Sequence, residues 1–102
     1  MTERATETHA RITREITQEK AATLGRAGER LQAALATLAG LAAAHARARD
    51  DAERAQLAAA YEQAWRVADA ARHTLVIQRE AVGLRYHRDV EAQFPRPPRR
   101  LP

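Results

Sequence analysis

The chain has 102 residues, enough for one domain, with a formal net charge of +4 and a pI near 10.6. It contains no cysteine, which excludes a disulfide framework and thiolate metal sites. Apolar residues are 45% of the chain, but alanine supplies more than half of them and aromatic residues only 4%, so composition predicts an all-α protein with a thin core.

Residues 1–8 are expected to fray, with Thr2, Thr6 and Thr8 each able to cap a helix. They carry no apolar run of the kind a secretory leader needs. A first helix is predicted over residues 9–47. At about 100° per residue, Ile12, Ile16, Leu24, Leu31, Leu35, Leu38 and Leu41 fall on one core-width stripe, with Arg14, Glu15, Glu29 and Arg47 mostly off it. Gly25, Gly28 and Gly40 weaken this helix. Gly28, at the stripe edge, suggests close helix approach, and a break across Leu24–Gly28 is the alternative. Gly25-Arg26-Ala27-Gly28 is too short for a phosphate loop and lacks the preceding strand that loop requires.

The chain is expected to reverse over Ala46–Asp51, where Asp50 and Glu53 resemble a capping box. The turn holds neither Gly nor Pro, so one uninterrupted helix is the competing arrangement. A second helix is predicted over residues 51–93. Leu57, Tyr61, Ala64, Ala68, Leu75, Val82, Tyr86 and Val90 form its stripe, with Trp65 at the edge. Heptad-like regularity predicts near-antiparallel, coiled-coil-like packing, hence an antiparallel two-helix hairpin. Val76, Ile77 and Leu84 lie off that stripe, and Gly83 sits between the two surfaces. A hairpin helix has one neighbour and cannot cover such a girdle. Val76, Ile77, Gly83 and Leu84 are therefore predicted to be a partner or dimer interface, two copies making a four-helix bundle.

Pro95 is predicted to stop the helix near Phe94. Residues 95–102 are then a Pro/Arg-rich extended tail, draped or disordered, with Phe94 and Leu101 as possible anchors. Its spacing also matches a proline-rich ligand for an aromatic groove.

Little in the chain suggests chemistry. Asp69, His73, Glu80, His87 and Glu91 share one stripe of the predicted second helix, but it faces away from the core and lacks the Glu-x-x-His pair of bundle metal sites. A solvated charged face is the expected reading, so no metal or other cofactor is predicted. His45, near the turn, reads as a histidine bonded to a helix end. There is neither serine nor cysteine to act as nucleophile, and two helices offer little concave surface, so neither enzyme activity nor a small-molecule substrate is expected. Arg47, Arg49 and Arg54 at the turn, with Arg96, Arg99 and Arg100 in the tail, are candidate contacts to an anion or nucleic acid. The sequence shows no helix-turn-helix spacing and no aromatic platform for bases, so nucleic acid is the less favoured partner.

Val76-Ile77-Gln78-Arg79-Glu80-Ala81, Gly83-Leu84-Arg85, His87, Val90 and the proline-rich end resemble a family of short, uncharacterised proteobacterial helical proteins. The likeness covers about the last 30 residues. It implies a bacterial, soluble helical protein and carries no site residues. No run is apolar and long enough to span a membrane, and a cytoplasmic location is expected. The function expected is a non-enzymatic module for self-association and protein interaction, the alternative being a small basic accessory protein that binds nucleic acid through its turn and tail arginines.

Overall fold

The computed structural model describes residues 2–102; Met1, within the segment expected to fray, lies outside the described residues. Among those residues the regular structure is entirely helical: α1 (Glu3–Ala46), α2 (Asp51–Ala81) and α3 (Arg88–Gln93). No helix is long and apolar enough to cross a membrane among the described residues.

α1 starts at Glu3, ahead of the expected start at residue 9. The Thr2 hydroxyl accepts the Ala5 N–H at 3.4 Å, and Glu3 places an acid in the first turn. The helix runs without interruption through Gly25, Gly28 and Gly40. None of the three has a neighbour within 4 Å of where a Cβ would stand, so Gly28 marks no close approach.

The chain reverses over residues 47–50. Asp50 caps α2 by accepting the Glu53 N–H at 2.8 Å. The Glu53 carboxylate returns to the Arg49 N–H at 3.0 Å, one residue before the position a capping box would use. α1 and α2 then pack as the predicted antiparallel hairpin.

Its core is small and falls into two groups. Ala27, Leu31, Leu75 and Val90 form one, with Leu24, Leu35, Ala71 and Phe94 against them. Leu38, Tyr61 and Ala68 form the other, flanked by Leu41, Trp65 and Leu101. Leu31, Leu38 and Tyr61 are the largest side chains fully enclosed. Burying each contributes on the order of 2 kcal/mol.

The second helix does not continue to Gln93. It ends at Ala81, and α3 covers only Arg88–Gln93. The Gly83 N–H donates to the Glu80 carbonyl at 3.0 Å and the Leu84 N–H to the Arg79 carbonyl at 2.9 Å. This paired pattern is a Schellman stop, with Gly83 at φ +93 in the left-handed region where a Cβ is costly. Val82 and Tyr86 therefore leave the α2 stripe. Tyr86, expected against α1, is 87% exposed, whereas Val90 reaches the core from α3.

The molecule measures 74 × 21 × 16 Å with a radius of gyration of 20.0 Å, against roughly 13 Å for a compact chain of this length. The cause is unequal helix length. At 1.5 Å per residue, α1 is roughly 66 Å long and α2 roughly 46 Å. The first half of α1 outruns its partner, and residues 2–22 are all exposed.

Candidate interaction surfaces

The residues predicted as a partner face occupy two settings. Val76 is half-buried beside a shallow cleft lined by Arg66, Asp69, Arg72, His73 and Arg96. Ile77 is 49% exposed on α2. Gly83 and Leu84 lie in the reversal beyond the end of α2, with Leu84 42% exposed. They do not share one helical face, because the helix that would have aligned them has already ended.

A second apolar surface belongs to the projecting arm of α1. Ile12 and Ile16 stand about half exposed. They continue the α1 stripe that carries Leu24, Leu31 and Leu38 further along. Where α2 stops, Ala81 and Val82 border an open notch with Thr17, Lys20, Ala21 and Leu24. The same stripe is thus covered by α2 along one half of α1 and bare along the other.

The tail forms a third surface, and it is folded against the hairpin. The Tyr61 hydroxyl donates to the Pro98 carbonyl. The Trp65 indole N–H donates to the Pro97 carbonyl at 3.2 Å. The Arg99 guanidinium sits 5.6 Å from the centre of the Trp65 ring, within reach of a cation–π interaction. Arg100 pairs with Glu62 at 3.0 Å, and Arg96 with Glu91 at 3.2 Å and Asp69 at 3.9 Å. Leu101 packs with the Leu38–Tyr61 group and Phe94 with the Leu31–Val90 group. Burial raises the pKa of Tyr61 above its ordinary value of 10.0, because the phenolate would lose its water.

The six arginines of the candidate anion surface are therefore not equivalent. Arg47 and Arg49 are exposed at the hairpin turn. Arg54 pairs with Asp51 at 2.7 Å and reaches the Ala48 carbonyl. Arg96, Arg99 and Arg100 are engaged by acids and by Trp65.

The stripe of Asp69, His73, Glu80, His87 and Glu91 is broken by the stop at Ala81. His87 sits beyond the reversal, its Nδ1 accepting the Arg79 Nε–H at 3.2 Å and its Nε2 lying 4.0 Å from Glu80. Asp69 and Glu91 face Arg96, and Glu91 also lies 4.0 Å from the buried guanidinium of Arg72. Their carboxylates balance arginines. His45 is half-buried in the last turn of α1, where its carbonyl accepts the Ala48 N–H.

Tyr61 and Trp65 were not predicted as tail-binding residues. The signal for them was an i, i+4 pair of aromatics with polar tips, flanked by Glu62 and Asp69, in a chain with few other aromatics. Comparison with protein-family models, with curated proteins and with solved structures finds no match to this chain.

Proposed function

We propose that the chain is a non-enzymatic helical module that self-associates as a homodimer and presents surfaces to protein partners. One observation carries this reading: the α1 stripe runs on past the end of α2, leaving Ile12 and Ile16 about half exposed. An isolated amphipathic helix of this length gains little stability in water without a packing partner. The face that needs cover is the face α2 covers elsewhere, so the natural cover is another helix on the line of α2.

A second copy supplies that helix. With two arms antiparallel, each lies where the other's α2 has ended, and the two hairpins join end to end into one rod two helices thick, in place of a side-by-side four-helix bundle. The tip of each arm then meets Val82, Gly83 and Leu84 of the other copy. A parallel pair would run each copy's α1 on into the other's α2 and clash. Val76 and Ile77, on the body of α2, lie outside that contact and are left as a surface for a protein partner. The proposed setting is the bacterial cytoplasm, in keeping with the resemblance of the last 30 residues to a helical family without known activity. The reading needs no cofactor.

Binding of nucleic acid through the turn and tail arginines gains no support from the tail, whose arginines face acids and Trp65. Light scattering tests the main reading. The unmodified chain should weigh twice 11.3 kDa, and Ile12→Asp with Ile16→Asp should halve the mass while leaving the hairpin helical. Leu84→Asp should weaken the dimer less. A monomeric unmodified chain at high micromolar concentration overturns self-association. Tight, steeply salt-dependent binding of labelled duplex would instead favour the nucleic-acid reading.

A further inference from the structure

The contacts between the tail and α2 follow a spatial order. Along α2, from its middle toward the turn, Asp69, Trp65 and Tyr61 meet Arg96, Pro97 and Pro98 respectively, while Arg100 turns back to Glu62. The tail therefore runs antiparallel to α2, with Leu101 seated on the Leu38–Tyr61 group beyond it. The two aromatic donors are one helical turn apart and take the carbonyls of two consecutive prolines.

This chemistry selects a class of ligand. A proline-rich segment has carbonyl acceptors and few N–H donors, and its restricted φ keeps it extended before it binds. A groove that offers a phenol O–H and an indole N–H to those carbonyls complements it. The flat Trp65 ring and the acids on either side favour arginines spaced about the prolines. Hydrogen bonds to proline carbonyls do not depend on which residues flank the pair, so the groove reads the class and not one particular tail.

We propose that the Tyr61–Trp65 face of α2 is a receptor for proline-rich, arginine-bearing extended segments of protein chains, held closed in cis by residues 95–102. The tail acts as a tethered competitor. Only Phe94 separates Pro95 from α3, so the tail's effective concentration at the groove is of millimolar order. A segment in trans binds by displacing it. The ion pairs of the latch are exposed and individually weak, so its release turns on the Tyr61 and Trp65 bonds and on the seat of Leu101. The proposal does not rest on dimerisation: a monomeric chain has the same groove.

The experiment uses the full chain with its latch loosened by Arg99→Ala and Leu101→Ala, and a fluorescein-labelled synthetic peptide of residues 95–102 as the probe, followed by fluorescence anisotropy. The loosened chain should bind the peptide roughly tenfold or more tightly than the unmodified chain, the tethered tail being the difference. Adding Tyr61→Phe, which keeps the ring and removes the donor, should reverse most of that gain. A peptide with the same arginines but alanine for proline should bind at least tenfold more weakly. Absence of binding to the loosened chain, or equal binding of the alanine peptide, overturns the proposal and leaves the tail as a staple only. A second measurement avoids any dependence on folding of the variant. Excess peptide added to the unmodified chain should drive the chain's own Leu101 off the Leu38–Tyr61 group, moving its methyl resonances toward those of the free peptide, and no movement through several millimolar peptide also overturns the proposal.

Discussion

Arg79 reaches across ten residues of chain to hold Asp89, with Nη2 at 2.8 and 3.0 Å from the two carboxylate oxygens. The same nitrogen donates to the Tyr86 carbonyl at 3.1 Å, and Nε donates to His87 Nδ1. One side chain thus binds three residues after the reversal. It also sits in the last turn of α2, where its charge suits the helix dipole. Arg79→Ala is expected to cost about 1–3 kcal/mol, through the lost charge-assisted bonds and the loosened seat of Val90. Hydrogen exchange at the Val90 and Phe94 amides should quicken by roughly five- to 150-fold, 1.4 kcal/mol being a factor of ten. Arg79→Lys should restore only part, because an ammonium cannot serve Asp89, Tyr86 and His87 from one planar fork.

The glycines divide by sign. Gly83 holds φ +93 in the Schellman stop, so Gly83→Ala should destabilise by about 1–2 kcal/mol. Gly25 and Gly40 lie in exposed helix with no neighbour within 4 Å of a new Cβ. Gly25→Ala and Gly40→Ala should each stabilise by up to about 1 kcal/mol. Thermal unfolding should show opposite shifts of several degrees, on a scale of about 4–8 °C per kcal/mol for a domain of this size. A stabilising Gly83→Ala would mean that α2 is able to run on through the reversal.

The contrast at Gly83 also shows what was legible in the sequence. The long helices and the buried Leu31, Leu38, Tyr61 and Leu75 follow from a 3.6-residue period in an alanine-rich chain, and that period survived folding. The end of α2 did not, because Val82, Tyr86 and Val90 keep the same spacing across the stop. A glycine inside a periodic run reads equally as a weak helical residue or as a cap. Only the positive φ and the Arg79 contacts, which span many residues, decide between them. The tail was half legible. Leu101 and Phe94 were candidate anchors by hydrophobicity, but the donors that hold the proline carbonyls leave no periodic trace.

Tyr61 couples the tail to pH. Its folded-state pKa is raised above 10.0 by burial, so the neutral form is favoured in the fold. The resulting stabilisation is fully present below pH 10 and is lost as pH rises through the higher folded value. Denaturant midpoints should fall above pH 10 in the unmodified chain. Tyr61→Phe should cost about 0.5–1.5 kcal/mol at neutral pH for the lost bond to Pro98, and should remove the tyrosine part of the alkaline decline. A decline of the same size in both chains would place its origin elsewhere.

The arm of α1 offers the sharpest separation of helix propensity from tertiary support. Residues 2–22 are all exposed in the single chain, and their threonines spend side-chain hydroxyls on the carbonyls four residues back, as Thr13 does to His9 and Thr17 to Thr13 at 3.0 Å. Such bonds add no support to a helix and slightly destabilise it. Against water alone, a segment of this length is marginal as a helix, so in an isolated chain its amides should exchange almost unprotected while those near Leu31 and Leu38 remain slow. A partner along Ile12 and Ile16 changes that expectation in a measurable way. Protection over residues 9–20 should rise with protein concentration, and the Leu31–Leu38 region should not change. Ile12→Asp should abolish the concentration dependence without altering protection in the hairpin. If arm protection is high at the lowest concentration and independent of it, the arm is stabilised within one chain and the second copy has no part in covering it.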